Sequence, residues 1–218
     1  MVSTAFSNSL HVNHLACIRG ERVLFKNLSF QLNSGRLLYI QGENGSGKTS
    51  LLRTLSGLSL PAVGNILWNN EDIKLLAEDY YGQVLYIGHL ASIKDDLTTV
   101  ENIQFSLSLS GFSANRSQTI GALETLGIGR CANLPTRVLS QGQKRRIALA
   151  QLWLQDAPEH TPMWILDEPF TALDINMMHI LTEHIEKYVN NGGMVIFTSH
   201  QLPSFNVNLI DNLQLGNA

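Results

Sequence analysis

A glycine-rich octapeptide contains the residues best suited to bind phosphate. Residues 42–49, GENGSGKT, fit the pattern G-x-x-x-x-G-K-S/T between an apolar run, 37–41, and a helix predicted from Lys48 to about Leu58. The glycines allow backbone N–H groups to turn toward phosphate oxygens, Lys48 supplies a positive charge, and the Thr49 hydroxyl can bind Mg²⁺. An ordinary glycine-rich turn is the alternative, but the flanking strand and helix favour a phosphate-binding loop. The predicted nucleotide-binding residues of this loop are Gly42, Glu43, Asn44, Gly45, Ser46, Gly47, Lys48, Thr49 and Ser50.

Two adjacent acidic residues follow a second apolar run. Residues 163–166, MWIL, predict a short buried strand that ends in Asp167 and Glu168. This placement brings both carboxylates to the sheet edge where the phosphate loop opens. We therefore expect Asp167 to bind Mg²⁺ and Glu168 to orient the attacking water or take its proton. Without the phosphate loop, a solvated acidic strand end would be the better interpretation.

A third candidate lies at the start of a predicted helix. In residues 139–143, LSQGQ, Ser140 and Gln143 fit the S-x-x-Q capping box, and capping is the simpler interpretation. The alternative is an anion site made by the Ser140 hydroxyl, the Gly142 amide and the helix N-terminus. Because Lys48 already serves one nucleotide, such a second site would act on the nucleotide of a neighbouring subunit.

The hydrophobic periodicity predicts an α/β fold. Residues 8–41 alternate as strands do, which predicts an antiparallel layer at the N-terminus. A capping box at residues 98–101 and a helical pattern at 116–126 predict a helical insertion. The further predicted elements are a helix at 140–155, a helix with Ile175, Met178, Thr182, Ile185 and Val189 on one face, and a strand at 193–197.

Composition excludes several classes of protein. The 218 residues are 44% hydrophobic and 15% charged, which provides a sizeable core and excludes a disordered tail protein or a miniature scaffold. The 15 basic and 18 acidic residues give a net charge of −3, without a basic block for nucleic acid or anionic lipid. No apolar run approaches the roughly 18–20 residues of a membrane-spanning helix, and residues 1–5 lack the layout of a signal peptide. We therefore expect a soluble, cytoplasmic chain.

The motifs occur in an order that resembles one protein family. The phosphate loop is followed by LSQGQ (139–143), ILDEP (165–169), TALD (171–174) and TSH (198–200). Together they resemble an ATP-binding cassette (ABC) ATPase over essentially the whole chain, although Gln141 stands where the family commonly has glycine. The resemblance implies an α/β P-loop fold with a mixed core sheet, in one domain, 1–218. Its core would comprise residues 1–89 and 156–218, and residues 90–155 would form an inserted helical subdomain.

The family resemblance also assigns roles to individual residues. Cassettes of this family pair head to tail, which implies a homodimer in which Ser140, Gly142 and Gln143 face the partner's phosphate loop. It further implies that Asp174 lies at the subunit boundary and that His200 contacts the γ-phosphate and the attacking water. The implied ligands are ATP and Mg²⁺. The implied catalytic residues are Glu168, His200 and Lys48, and the implied metal ligands are Thr49 and Asp167.

Two further positions depart from the general pattern of the family. His89 stands where most members have a glutamine, and imidazole is a poorer Mg²⁺ ligand than an amide oxygen. His89 would then contact the γ-phosphate or the helical insertion rather than the metal. Arg19 lies near the position where the family often stacks an aromatic ring on adenine, and a guanidinium can also stack there. The preference for adenine is therefore implied by the family alone.

Three further segments resemble one branch of the family. YIGHL (86–90), KDDLT (94–98) and SHQLP (199–203) resemble the ATP-binding subunits of cytochrome c maturation exporters. This branch implies a peripheral position on the cytoplasmic face of the bacterial inner membrane, with integral membrane permease subunits as partners and haem as the exported cargo. The helical insertion around residues 89–102 is then the candidate surface for docking those subunits. Residues 204–215 either pack on the core or join the interface.

The chain itself shows no signal for haem binding. Cys17 and Cys131 form no CxxC pair, nothing resembles a Cys-x-x-Cys-His haem attachment site, and the remaining histidines form no i, i+4 pair. We expect both cysteines to be buried, and we expect the partner subunits to recognise the cargo.

Four other functions compete with haem export. The main competitor is an ATPase that serves a transporter of another metabolite or lipid. A soluble cassette acting on nucleic acid or ribosomes would bring a long coiled coil, a second cassette or a basic surface. A scaffold that binds nucleotide without hydrolysis does not need Glu168 and His200, and a simple P-loop kinase does not need residues 139–143.

Overall fold

The computed structural model describes residues 7–90, 92–200, 203–205 and 208–216. The strands are β1 (Ser9–Arg19), β2 (Arg22–Asn33), β3 (Leu37–Gln41), β4 (Val63–Trp68), β5 (Glu71–Asp72), β6 (Val84–Ile87), β7 (Met163–Asp167), β8 (Met194–Thr198) and β9 (Ile210–Gln214). The helices are α1 (Lys48–Leu55), α2 (Ile73–Leu76), α3 (Glu78–Tyr81), α4 (Thr99–Leu109), α5 (Arg116–Thr125), α6 (Gln141–Leu154) and α7 (Ile175–Asn190), with 3₁₀ turns at Gly129–Cys131 and Thr136–Val138. Within these ranges, no helix is both long enough and apolar enough to cross a membrane.

Two sheets of different kinds form the fold. Strands β2, β1, β4 and β5 lie side by side in that order, and their pairs are antiparallel. Strands β6, β7, β8, β3 and β9 form the second sheet, and their pairs are parallel. The α/β fold with an N-terminal antiparallel layer is therefore confirmed. The core sheet, however, is parallel rather than mixed, because the antiparallel strand pairs lie in the other sheet.

The parallel sheet lies at the centre of the molecule. Every residue of β7 and β8 is buried, because a parallel sheet is covered on both faces, and both strands are apolar up to their last residues, Asp167 and Thr198. Leu38 and Ile165 pack toward the antiparallel sheet and helix α1. Leu37 and Trp164, their neighbours in sequence, pack instead toward α6 and α7. The alternation of side chains along each strand thus supplies two separate cores.

The carboxyl ends of three neighbouring strands meet at one edge of this sheet. Strand β8 lies between β7 and β3, with Thr198 paired to Asp167 on one side and to Ile40 on the other. The loops that follow Gln41, Asp167 and Thr198 therefore begin side by side. Ligands of open α/β sheets bind outside the carboxyl ends of the strands, so this edge is where a site is expected.

Helices α4, α5 and α6 share a third hydrophobic core. It includes Val100 and Ile103 of α4, Leu123 of α5 and Ile147 of α6. The capping boxes predicted at residues 98–101 and 140–143 are both present, and α5 begins with a third box, between Asn115 and Gln118, that the sequence analysis did not identify. These caps satisfy the first amides of each helix and so define where it starts.

Some predicted details differ from the structure. Helix α1 ends at Leu55 rather than near Leu58, because Gly57 takes a left-handed conformation (φ 76°) that ends the helix. On α7, Thr182, Ile185 and Val189 are buried as predicted, but Ile175 is 87% exposed at the start of the helix. Cys131 is buried, whereas Cys17 is only partly buried.

The last described segment joins the parallel sheet. Strand β9 pairs with β3, and the following Leu215 is buried, with its amide donating to the Gln41 carbonyl at 2.8 Å. Within residues 204–215, the described part therefore packs on the core. Residues 206–207 of that segment, and also residues 1–5, Ala91, Gln201 and Leu202 of other predicted segments, lie outside the described residues.

Candidate active site

The loop between β3 and α1 lines a cavity. Gly45 and Gly47 both take left-handed conformations, and no side chain caps helix α1, which begins after Gly47. At Gly42, a Cβ atom would lie 2.6 Å from the Ser46 hydroxyl oxygen and 2.9 Å from the Leu215 carbonyl, so only glycine fits. An uncapped helix start that opens on a cavity suits an anion, as the phosphate-binding motif predicts.

The Lys48 side chain folds back over this loop. Its Nζ donates to the Gly42 carbonyl at 2.6 Å and to the Glu43 carbonyl at 3.2 Å. These contacts hold the ammonium group beside the loop amides, where it can pair with phosphate.

A chain of hydrogen bonds links the loop to the ends of β7 and β8. The Thr49 hydroxyl donates to Asp167 Oδ2 at 2.8 Å, and the Thr198 hydroxyl donates to Asp167 Oδ1 at 2.8 Å. The same Thr198 oxygen accepts the Glu168 amide at 3.0 Å. The sequence motifs predict no role for Thr198 itself. Its position directly before Ser199 and His200, at the end of a buried strand, is the signal that could have identified it.

Glu168 has the most unusual environment in the site. Its backbone is left-handed (φ 52°), which is rare for a residue with a large side chain. The side chain is buried, and Oε2 accepts the His200 amide at 3.0 Å. Oε1 lies 3.6 Å from His200 Nε2 and has no hydrogen-bond partner among the described residues. One carboxylate oxygen therefore lies buried beside the His200 ring without a hydrogen-bond donor from the described part of the chain, so it keeps the capacity to accept a proton once a bound molecule reaches it.

His200 is held by its backbone more than by its ring. Its side chain is 63% exposed, and its amide is the donor to Glu168. Just before it, the Ser199 carbonyl accepts the buried Tyr39 hydroxyl at 2.8 Å. Burial, together with the nearby Glu168 carboxylate, raises the pKa of Tyr39, which keeps that hydroxyl a donor.

These groups surround one cavity of about 650 Å³. This volume falls within the usual range for small-molecule sites. Five basic side chains, Arg19, Arg22, Lys48, His89 and His200, line it, which suits an anionic ligand. The lining residues are Arg19, Arg22, Leu24, Asn44, Gly45, Gly47, Lys48, Thr49, Ser50, His89, Asp167, Glu168 and His200.

The predicted residues at the starts of α6 and α7 do not line this cavity within the described part of the chain. The Ser140 hydroxyl accepts the Gln143 amide at 3.2 Å, and Gln143 Oε1 accepts the Ser140 amide at 2.9 Å, so the capping interpretation is confirmed. Gly142 packs closely on the loop before α7, where an added Cβ would lie 3.0 Å from the Ala172 carbonyl.

Asp174 caps helix α7. Its carboxylate accepts the Met177 amide at 2.9 Å and pairs with Arg146 of α6. The hydrogen bond from Met177 and the positive charge of Arg146 lower the pKa of Asp174, which keeps it ionised. The two helix starts are thus joined to each other rather than to the cavity of their own chain.

Arg145 is a second residue of the site whose role the sequence motifs do not predict. It is 5% exposed, and its guanidinium donates to the carbonyls of Gly88, Asp167 and Glu168, each at 2.8 Å. Burial lowers its pKa, while the neighbouring carboxylates act in the opposite direction. The available signal was its spacing: it lies four residues before Leu149, on the buried face of α6, where a charged residue needs partners.

Comparisons with known proteins agree with this arrangement. The ABC transporter family model matches residues 25–171. The cytochrome c biogenesis ATP-binding export protein CcmA of Nitrosomonas europaea is 50% identical over 192 residues, which is 88% of each chain. A putative ABC transporter ATP-binding protein from Pyrococcus furiosus has a similar fold, with a TM-score of 0.78 at 24% identity over 94% of this chain and 97% of that one. A dimeric bacterial ABC transporter cassette gives a TM-score of 0.77 at 21% identity over 94% of each. The chain therefore belongs to the ABC transporter ATPase family, together with the ATP-binding export proteins of cytochrome c biogenesis.

Proposed function

We propose that this chain hydrolyses ATP at the cytoplasmic face of a bacterial inner membrane, as the peripheral ATPase subunit of a cytochrome c maturation exporter whose cargo is haem. Its 50% identity to a cytochrome c biogenesis export protein supports the biological role. The observation that carries the ATPase activity is the cavity in which Lys48, the Thr49–Asp167 pair and the free oxygen of Glu168 meet. Lys48 and the loop amides would bind the phosphates. The guanidinium of Arg19, which also lines the cavity, would stack on the adenine ring.

The chemistry of the donors fits Mg²⁺. The Thr49 hydroxyl and Asp167 Oδ2 are already in contact at 2.8 Å, and both are hard oxygen ligands of the kind that Mg²⁺ prefers. These two residues would hold the ion together with the phosphates, and a bound Mg²⁺ neutralises charge that develops on the transferred phosphoryl group. The Thr198 hydroxyl fixes the orientation of the Asp167 carboxylate by donating to its other oxygen, Oδ1.

In this proposal Glu168 acts on the attacking water. Its Oε1 accepts the proton of a water placed in the cavity, while Oε2 stays fixed by the His200 amide. The His200 ring, which is exposed and lines the cavity, would contact the γ-phosphate. His89 also lines the cavity, at the position where the family commonly has glutamine.

The variant Glu168→Gln tests the assignment of the base. The amide keeps the shape of the side chain but cannot accept the proton, so we expect turnover to fall about 10²–10⁴-fold while ATP binding remains. Phosphate release and the binding of a fluorescent ATP analogue measure the two quantities. Glu183→Gln, at an exposed position of α7, is the matched control. Unchanged turnover in Glu168→Gln would contradict the assignment.

We further propose that two copies of the chain complete each site. Ser140, Gly142, Gln143 and Asp174 lie outside the cavity of their own chain, and Ile175 beside them is exposed. A head-to-tail pair would bring the start of α6 against the partner's ATP, where the positive end of the helix and the Ser140 hydroxyl would bind phosphate. The Glu168→Gln variant should then dimerise only when ATP is present, as measured by light scattering. Dimerisation that does not depend on ATP would contradict this arrangement.

The membrane subunits would dock beside the site. A groove of about 330 Å³ lies between the end of α1, the turn after β6 and helices α4 and α6. Leu58 and Leu90 on its rim are 53% and 82% exposed, which is typical of a surface that binds an apolar segment. Leu90→Asp should abolish co-purification with integral membrane subunits, whereas Leu75→Asp, at another exposed leucine, should not. Equal recovery with both variants would contradict docking at this groove. In this arrangement the membrane subunits, rather than this chain, would bind the haem.

A further inference from the structure

Arg145 joins three segments that are far apart in the sequence. From helix α6, its guanidinium donates to the Gly88 carbonyl in the turn after β6, and to the Asp167 and Glu168 carbonyls at the end of β7. A longer contact, 3.4 Å, reaches the His89 carbonyl. A planar guanidinium with several donors in fixed directions can hold such a set of acceptors, which a single ammonium group cannot do equally well.

Two of these carbonyls flank the Cα atom of Glu168. The Asp167 carbonyl belongs to the peptide before it, and the Glu168 carbonyl belongs to the peptide after it. Rotation about φ moves the first peptide relative to the Cα atom, and rotation about ψ moves the second. By binding both carbonyls from one side, Arg145 restrains both backbone angles of Glu168.

This restraint matters because the Glu168 backbone is strained. Its φ of 52° lies in the left-handed region, which persists in a residue with a side chain only where the surroundings hold it. The Thr198 hydroxyl binds the Glu168 amide, and the Thr171 amide donates to the Glu168 carbonyl at 3.2 Å. The charged side chain of Arg145 contacts both peptides. The direction of the Glu168 side chain, and hence the position of its free oxygen, depends on that backbone.

We propose that Arg145 is a positioning residue for ATP hydrolysis, which acts by holding the left-handed backbone of Glu168. This inference rests on the proposed function, because it assigns Arg145 a role in the reaction of Glu168. It differs from a purely structural role, in which a buried arginine only satisfies buried carbonyls. A structural role predicts a less stable protein that turns over normally once folded.

The test compares Arg145→Gln and Arg145→Lys with wild type in the full chain. An amide cannot reach all the carbonyls, so for Arg145→Gln we expect kcat to fall 10–100-fold, while KM for ATP changes less than about threefold. Lysine keeps a positive charge and three donors, so it should retain an intermediate kcat. The control is Arg36→Gln, which removes an arginine that joins Asn208 and Asp211 at the amino end of β3. Thermal unfolding of each variant shows whether it is folded at the assay temperature.

A double-mutant comparison separates positioning from general damage. If Arg145 acts through Glu168, adding Arg145→Lys to Glu168→Gln should not lower the residual turnover further. A kcat within twofold of wild type for the Arg145 variants, or an additive loss in the double variant, would overturn the inference. If Arg145→Gln does not fold, the kcat of Arg145→Lys alone tests the inference. A wild-type chain that hydrolyses no ATP contradicts the proposed function itself, whereas an active wild type with equally active variants contradicts only the role of Arg145.

Discussion

Thr198 is the residue whose replacement should reveal most about how the site is held together. Its buried hydroxyl donates to Asp167 Oδ1 and accepts the Glu168 amide, so one oxygen atom joins the residue proposed to bind Mg²⁺ to the residue proposed to act on water. Thr198→Val keeps the shape of the side chain and removes both hydrogen bonds. The Glu168 amide is then left buried without a partner.

The expected loss of stability follows from these two contacts. An unpaired buried amide costs about 1–3 kcal/mol, and a hydrogen bond to a charged acceptor contributes about 1.5–3 kcal/mol. Because the two effects overlap, we expect about 3 kcal/mol in total. Each kcal/mol lowers the Tm of a protein of this size by about 2–4 °C, so Thr198→Val should melt about 6–12 °C below wild type. Thr198→Ser keeps the hydroxyl and loses only one buried methyl group, about 0.8 kcal/mol.

The Mg²⁺ dependence of turnover provides a second measurement. A carboxylate that loses its orienting hydrogen bond typically binds metal 10–100-fold more weakly. The Mg²⁺ concentration for half-maximal phosphate release should therefore rise at least about tenfold in Thr198→Val and change little in Thr198→Ser. A valine variant that melts no lower than the serine variant, with an unchanged Mg²⁺ requirement, would refute the reasoning.

Three further predictions follow from other parts of the molecule. His184 stacks on Trp153 and binds the Leu152 carbonyl, and its burial lowers its pKa. As the pH falls, the His184 side chain is therefore protonated in the unfolded chain before it is protonated in the folded chain. The free energy of unfolding should therefore decrease as the pH falls below about 6.5, by up to 1.4 kcal/mol per pH unit, and urea titrations of His184→Gln should show a smaller slope. At Gly64 (φ 88°) an added Cβ would lie 2.3 Å from the Asn13 carbonyl, whereas at Gly111 (φ 76°) it would lie in open space. Gly111→Ala should therefore cost only the strain of the left-handed backbone, about 1–2 kcal/mol, and Gly64→Ala should lower the urea midpoint much more. Equal urea midpoints for the two variants would contradict this. ATP at 100 times its Kd should stabilise wild type by about 2.7 kcal/mol in thermal unfolding but should not stabilise Lys48→Ala.

The positions of the phosphate-loop motif and of the two carboxylates could be predicted from the sequence because each lies within or next to a single predicted element. The phosphate loop needs only a strand, glycines and a helix in succession, and residues 37–55 contain all three. The apolar run at residues 163–166 likewise predicts a buried strand, and Asp167 and Glu168 lie at its end. The capping boxes at Thr98 and Ser140 were predicted for the same reason, since both partners lie within four residues.

The missed features depend on contacts between distant segments. Arg145 and Thr198 act on carbonyl and amide groups of residues 22–57 positions away, and no local pattern records such a contact. The separation of strand directions into two sheets also depends on pairing between distant strands, such as β3 with β8. The exposure of Ile175 has a different cause, because helical periodicity assigns a face but does not show where the neighbouring core ends.

The most direct test of the proposed function is to identify the membrane proteins that bind this chain. Tagged Glu168→Gln chain would be purified from detergent-solubilised membranes in the presence of ATP, and the proteins recovered with it would be identified by mass spectrometry. We predict recovery of the integral membrane subunits of cytochrome c maturation, and their loss when Leu90→Asp is added. Recovery of a different permease, or of no membrane protein at all, would contradict the role in cytochrome c maturation.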